Sequence, residues 1–338
     1  MNNHQPLYNS DCIIAADIGG TNTRFSRVNL YTLVLDNIKV YPSRQFNGLF
    51  SALTHYRREQ GIVELNRVAV AIACPVIEDY ISMTNCNWQF SIKDLKRQLN
   101  LDQLVVLNDF AAAAMSLTVL AQDDMTQVGG GLIKPHQPKI LLGAGTGLGA
   151  AFLIPGEKGF IPVASETGHT DWKAETEQEK FIHYFLAKRF GHVSVERVLS
   201  GSGLENLYLA LAAFENKSVN PLSAADIASL AILEQSTLAR AAVLQFFASL
   251  GALAGDLALM LNAFGGVFIA GGIVPKLLPL LHVSDFRKRF EDKGRFSEFN
   301  RKIASFVVNA AQPGLLGAAL YLKQNMDKAN VYQLAVTA

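Results

Sequence analysis

The same short layout occurs twice in this chain: an apolar run, a glycine-rich turn, and a second run of strand length. The first copy is Cys12-Ile-Ile-Ala-Ala-Asp17, then Gly19-Gly20, then Thr23-Arg-Phe-Ser-Arg-Val28, where the side chains roughly alternate. The second is Lys139-Ile-Leu-Leu142, then Gly143-Ala-Gly-Thr-Gly-Leu-Gly149, then Ala150-Ala-Phe-Leu-Ile154. Short apolar runs bounded by glycine read as strands. Two such hairpins predict two related lobes, each offering a backbone turn to a shared ligand. At 338 residues the chain also exceeds the size at which one core keeps growing, and half of its residues are hydrophobic, which argues against disorder.

Glycine suits such turns to an anion, because without a Cβ the backbone N–H groups come close to an oxygen. Gly19 and Gly20, with Thr21 and Asn22 behind them, form the first candidate phosphate turn. Asp17, just before it, is a candidate for holding Mg2+ through water, since that ion keeps much of its hydration shell. An ordinary hairpin with an aspartate at its corner uses the same residues. In the second run the candidates are Gly143, Gly145, Thr146, Gly147 and Gly149. Gly145-Thr-Gly147-Leu-Gly-Ala150 matches the dinucleotide pattern G-x-G-x-x-[GA], but that motif needs a helix directly after the turn. Here Ala151-Phe-Leu-Ile154 reads as strand and Pro155-Gly156 ends it. A Walker A loop would need Gly-Lys-Ser/Thr, which is absent. A second phosphate-gripping hairpin survives both eliminations.

Phe50 to Gln60 carries a helical pattern, and Arg67 to Ala73 and Leu104 to Leu107 read as strands. Asn108-Asp109 lies where the latter strand meets the helix-prone Phe110 to Met115, at the carboxyl edge where α/β sheets bind ligands. Asp109 reads as a helix N-cap or as the base that accepts the proton of an attacking hydroxyl. Glu166-Thr-Gly-His169 and Glu196 form a further polar cluster suited to the paired hydrogen bonds that hold a neutral polyol. A metal site is the competing reading, and no H-E-x-x-H or third-ligand pattern supports it. The polar, glycine-rich stretch Gln122 to Gln137 is the candidate crossing between lobes. Thr176-Glu-Gln-Glu179 is a capping box that opens a helix, Val267 to Ala270 is an apolar strand ending at Gly271-Gly272, and Pro313 opens a terminal helix.

The formal net charge of +1 gives no long-range field for a polyanion, so nucleic acid is not an expected partner. Cys12, Cys74 and Cys86 form no C-x-x-C, and neither a disulfide framework nor a cysteine-built zinc site is expected; a reducing compartment is. Met1 to Ser10 lacks the basic and apolar regions of a secretory signal and reads as a tail. Ala241 to Phe264 is the most lipid-like stretch, with Gly251 and Gly255 at the spacing of membrane helix dimers. Gln245, Asp256 and Asn262 interrupt it, so the expectation is a buried helix and no membrane span.

Taken together, Asp17-Ile-Gly-Gly-Thr-Asn22, Ala71-Ile-Ala-Cys-Pro75, Met83-Thr-Asn85, Asn108-Asp-Phe110, Gly143 to Gly149, Glu166-Thr-Gly-His169, Gly191-His-Val-Ser194, Glu196-Arg-Val-Leu-Ser-Gly201 and Phe264 to Pro275 resemble the bacterial glucokinase family, from about Cys12 to Leu322. The resemblance implies an α/β, two-lobed actin-like ATPase (ribonuclease H-like) fold, with a cleft between a small domain (11–119 plus 311–330) and a large one (120–310). It also implies a cytoplasmic homodimer that transfers the γ-phosphoryl of MgATP in line to O6 of glucose, giving glucose 6-phosphate and ADP. By the same resemblance Asp109 is the general base, and Asn108, Asp109, Glu166, His169 and Glu196 bind the sugar. Asp17 and Gly19 to Asn22 form the first phosphate hairpin and Gly143 to Gly149 the second, with Gly271 and Gly272 under the adenosine and the terminal helix packed on the first lobe. A silent sugar and ATP sensor, or a kinase for another hexose, are the alternatives. The chain lacks the cysteine-rich zinc motif of the repressor-related sugar kinases. One departure stands out: Ser165-Glu-Thr-Gly-His169 replaces the usual Gly-Glu-Gly-Gly-His, and Thr167 brings a β-branched side chain beside two sugar ligands.

Overall fold

A computed structural model describes residues 11–83 and 86–336, with side chains as far as Met326; the tail Met1–Ser10 and the Thr84-Asn85 part of one motif lie outside the described residues. Contacts divide the chain into two compact units. One runs to Leu120 and takes in Gly156–Ala164 and the segment from Ala311 on; the other comprises Ala121–Pro155 and Ser165–Ala310.

The first unit holds β1 (Cys12–Ile18), β2 (Asn22–Asn29), β3 (Leu35–Pro42), β4 (Arg67–Ile72), a small hairpin of β5 (Tyr80–Ser82) and β6 (Gln89–Ser91), and β7 (Gln103–Asn108). The main sheet has the order β3-β2-β1-β4-β7, with β1, β4 and β7 parallel and β2 and β3 antiparallel to their neighbours. A strand covered on both faces should be an apolar run, and β1 is one except for Asp17 near its carboxyl end. Its alternation of side chains then sorts two cores. Ile14, Ala16 and Ile18, with Val68 and Val70 of β4, meet Leu53 and Tyr56 of α1 (Leu49–Gln60). Ile13 and Ala15, with Ala69 and Ala71, meet Ala111 and Ala112 of α3 (Asp109–Ser116) and Leu315, Ala318 and Leu322 of the C-terminal helix Pro313–Val336. The short α2 (Ile92–Gln98) lies between β6 and β7 and is capped by the Ser91 hydroxyl.

In the second unit, β8 (Met125–Gly129), β9 (Lys139–Ala144), β10 (Leu148–Gly156), β12 (Val267–Ala270) and β13 (Ser305–Val308) form a sheet of order β10-β9-β12-β13-β8. β10 continues into β11 (Gly159–Ser165), whose residues 159–164 fall with the first unit. The pattern β10-β9-β12-β13, a hairpin followed by two parallel strands, repeats β2-β1-β4-β7 of the first unit. The stretch Gln122–Gln137, which contains β8, is thus partly regular: its strand closes the sheet against β13.

Four longer helices cover this sheet: α4 (Glu177–Phe190), opened by the Thr176/Glu179 capping box, α5 (Gly201–Phe214), α6 (Ala224–Ile232) and α7 (Thr237–Leu261). By length and composition α7 is apolar enough to cross a membrane, but 61% of its apolar window is buried inside the protein. Phe246, Phe247 and Leu250 lie in the core. Gly251 and Gly255 serve an internal crossing: a Cβ there would lie 2.0 Å from the Phe286 carbonyl oxygen and 2.3 Å from that of Phe290. The pair that resembles a membrane dimer motif is where a second backbone passes over α7.

The C-terminal helix crosses α3 equally closely. A Cβ on Gly317 would sit 1.7 Å from the Ala112 carbonyl oxygen. Alanine's helix preference over glycine is worth about 1 kcal/mol, less than the roughly 3 kcal/mol that overpacking at such a contact costs. Gly317→Ala is therefore expected to lower the unfolding free energy by about 2 kcal/mol. A fall in the urea midpoint of that size would support the crossing, and an unchanged midpoint would show that these helices separate at no cost.

Candidate active site

In the first unit the candidate residues gather at the carboxyl edge of the parallel strands. β1 ends at Ile18, and the turn to β2 is closed by Gly19 N–H donating to the Asn22 carbonyl at 2.9 Å. The Ser43 hydroxyl donates to the Gly19 carbonyl at 2.7 Å and its N–H donates to Thr21 O at 2.9 Å, so β3's end fixes the turn from below. Gly19 and Gly20 are half-buried, and Thr21 and Asn22 are exposed. Asp17 faces Arg24 across the β1–β2 pairing, with Nη1 3.3 Å from Oδ2. Burial pushes the Asp17 carboxyl above the ordinary range, and the Arg24 guanidinium pulls it partly back. The start of the C-terminal helix closes over it: a Cβ at Gly314 would lie 3.2 Å from Asp17 Cγ.

Asn108 ends β7 opposite Ile72 of β4. Asp17 and the end of β7 are therefore two strands apart, roughly 10 Å across the sheet. The helix N-cap is Asn108, not Asp109. Asn108 Oδ1 accepts from Phe110 N (3.0 Å) and Ala111 N (3.2 Å), and Nδ2 donates to the Cys74 carbonyl (3.4 Å). An Asn at this position has the right reach to cap, which releases its neighbour from that duty. Asp109 is the first residue of α3, and its Oδ1 accepts from Phe110 N at 2.9 Å. A first-turn carboxylate is favoured there by the helix dipole. Asn108 thus spends its carbonyl oxygen on structure, and of its expected contacts with a sugar only an amide N–H is left for the role.

In the second unit the turn between β9 and β10 is closed by Gly145 N–H donating to Gly147 O at 2.8 Å. Thr146 is exposed at its tip, and Gly143 and Gly149 pair with each other at its base. Gly271 (φ 92°) follows β12 and lies directly against the turn, where a Cβ would be 2.3 Å from the Ala144 carbonyl oxygen; Gly272 has open space instead.

The polyol residues are brought to this same turn. Glu166 precedes a 3-10 turn, Thr167–His169, and its carboxylate is 3.9 Å from His169 Nε2, both side chains being largely exposed. A Cβ on Gly168 would lie 2.5 Å from the Leu148 carbonyl oxygen, so only glycine lets this loop rest on the hairpin. Thr170 O accepts from Val195 N at 2.9 Å, joining the loop to the 3-10 turn Val195–Arg197 that carries Glu196. Leu148 N–H donates to Glu196 Oε2 at 2.9 Å. Thr167 points inward: it is buried and shares a 2.7 Å hydrogen bond with the Ser165 hydroxyl. Its β-branched side chain braces the loop from behind.

Glu166, His169, Glu196, Gly143 to Gly149 and Gly271 are thus gathered in one unit, and Asp17, Gly19 to Asn22, Asn108 and Asp109 in the other. The glucokinase family model matches residues 14–325. The chain belongs to the glucokinase family. A glucokinase of Photorhabdus laumondii is 42% identical over 314 residues, covering 93% of this chain and 98% of that one. The crystal structure of a glucokinase from an Antarctic psychrotroph aligns with a TM-score of 0.86 at 34% identity, over 93% of this chain and 99% of that one. The α/β actin-like ATPase fold extends further. A ROK-family glucokinase of Streptomyces griseus, in complex with glucose and AMPPNP, aligns with a TM-score of 0.61 at 19% identity, over 91% of this chain and 98% of that one.

Arg24 and Ser43 adjoin the candidate residues although no motif marks them, and Gly201, the last residue of the Glu196–Gly201 motif, donates its N–H to the Gly145 carbonyl. Arg24 was within reach of sequence reasoning, because the hairpin register sets it opposite Asp17. Ser43 arrives from the 3-10 turn that follows β3 and leaves no local signal. Cys74 is another neighbour of the site: burial pushes its thiol up to about 11, and the Asp109 carboxylate adds to the effect. It therefore stays protonated at neutral pH. Alkylation of Cys74 in the native protein, followed by mass spectrometry, should still be rising with pH at pH 10, whereas in denaturant it should level off near the ordinary thiol range. A native profile that levels off at the same pH as the denatured one would contradict this placement.

Proposed function

We propose that the chain catalyses ATP-dependent phosphorylation of glucose at O6, releasing glucose 6-phosphate and ADP. The observation that carries this reading is the polyol loop's attachment to a phosphate-type turn: Gly168 rests on Leu148, and the N–H of Leu148 is held by Glu196. A site built this way handles a sugar and a phosphate as neighbours. The names of the relatives supply the substrate, and the glucose and AMPPNP bound to the Streptomyces griseus protein support an ATP-type donor.

In this reading residues 11–119 and 311–330 are the small domain and 120–310 the large one, and both half-sites act on one pair of substrates. Little covalent work is asked of the protein, so positioning and charge stabilisation supply the rate. The turns at Gly19 to Asn22 and Gly143 to Gly149 hold phosphate oxygens through backbone N–H groups. Asp109 takes the O6 proton, while Asn108, Glu166, His169 and Glu196 pair with sugar hydroxyls. Asp17, half-buried at the strand end beside the first turn, fits an ion that needs few direct carboxylates, and Mg2+ when bound offsets charge on the transferring phosphate. Gly271 and Gly272 lie under the adenosine. A homodimer working in the cytoplasm, at the entry of glucose into glycolysis, completes the reading on family grounds.

ADP formation measured with ATP and a panel of hexoses tests class and substrate together. Glucose should give the highest kcat/KM, and absence of ADP with every sugar would leave a binding protein rather than a kinase. Asp109→Asn should lower kcat by about 10²–10⁴ without shifting the thermal midpoint. Near-normal turnover in that variant would make Asp109 a structural first-turn residue.

A further inference from the structure

Glu196 holds the second glycine turn, a contact separate from the sugar binding proposed for it. We infer that it is a positioning residue for the phosphate turn, through its hydrogen bond to Leu148 N–H, so that nucleotide affinity depends on it even when no sugar is present. This deepens the proposed function and rests on it.

The segment Glu196–Gly201 grips the turn at two points. At one end Leu148 N–H donates to Glu196 Oε2 at 2.9 Å; at the other Gly201 N–H donates to the Gly145 carbonyl at 2.8 Å. Between these anchors Gly145 N–H closes the turn on Gly147 O. The carboxylate also occupies the space beside Gly147 that a side chain would need, since a Cβ there would lie 2.5 Å from Oε2. Glu196 itself is set by its own segment: Ser200, which caps α5, donates its hydroxyl to the Glu196 carbonyl at 2.8 Å.

A negative charge behind a turn that receives phosphate is electrostatically unfavourable. Its presence is explained if the hydrogen bond is worth more than the repulsion costs, because hydrogen bonds to charged acceptors are the strong ones. An amide of the same length would keep the acceptor and remove the charge. Aspartate would keep the charge and withdraw the acceptor by one methylene. A residue that served the sugar alone would leave nucleotide binding unchanged in both cases.

The experiment is calorimetric titration of Mg2+ and AMPPNP into the full-length protein without sugar, with thermal midpoints recorded alongside. Glu196→Ala and Glu196→Asp should each bind AMPPNP about tenfold more weakly than the parent, the size of one lost charge-assisted bond. Glu196→Gln, which keeps an acceptor at the same length, should bind it more tightly than either of these variants while its glucose KM rises. Parent-like AMPPNP affinity in the aspartate and alanine variants would overturn the inference, as would a glutamine variant as weak as the alanine one. If the alanine variant fails to fold, the aspartate and glutamine pair decides alone. Failure of the parent to bind AMPPNP, or to form ADP with glucose, would sink the kinase reading and this inference with it. An active parent with insensitive variants would sink the inference only.

Discussion

The peptide unit around Leu148 is the point on which the second half-site depends. Its carbonyl is covered so closely by the loop after β11 that residue 168 has no space for a side chain, and its N–H is taken by Glu196. Both contacts are made by backbone at one end, so they are set by strand geometry rather than by rotamer choice. A polar loop and a glycine turn that are distant in sequence are thereby held in a fixed relation. The cost falls on the sequence: glycine is required at 168, and a side chain at 147 would displace the Glu196 carboxylate from its place beside the turn.

The two units solve one problem in the same way. Each has a hairpin of adjacent antiparallel strands followed by two parallel strands on the same side, and each places its candidate glycine turn at the carboxyl end of the first parallel strand. The differences lie in what stabilises the turn. Ser43, just after strand β3, supports the first turn, whereas the second is clamped by a helix start and a glutamate. Side-chain hydroxyl support leaves the first turn close to Asp17 and Arg24. Carboxylate support ties the second to the polyol residues.

Much of this was legible from sequence because it is local. The apolar run of β1, the glycine turn after it and the capping box at Thr176 are all read from a few adjacent residues. Asn108-Asp109 is legible as a strand-to-helix junction, but the capping duty falls on the first residue rather than the second, because the helix begins one residue earlier than the pattern suggests. Thr167 stands out in the sequence as a β-branched side chain beside two candidate sugar ligands, but its burial and its hydrogen bond to Ser165 could not be inferred without the fold of the loop. The contacts of Ser43, Gly201 and Gly317 are long-range approaches of backbone, for which a sequence carries only the signature of a small residue.

The sorting of side chains on β1 bears on the order in which the chain acquires its structure. Ile13 and Ala15 lie in the first strand, yet the surface that covers them includes Leu315, Ala318 and Leu322, about 300 residues further along the chain. A nascent chain on the ribosome therefore carries one face of its opening sheet only partly covered, by α3, until the helix that begins at Pro313 has been made. The intervening second unit has all of its own strands by residue 308 and is free to fold earlier. Chaperone protection during that interval would matter most for the oldest part of the polypeptide, not the newest.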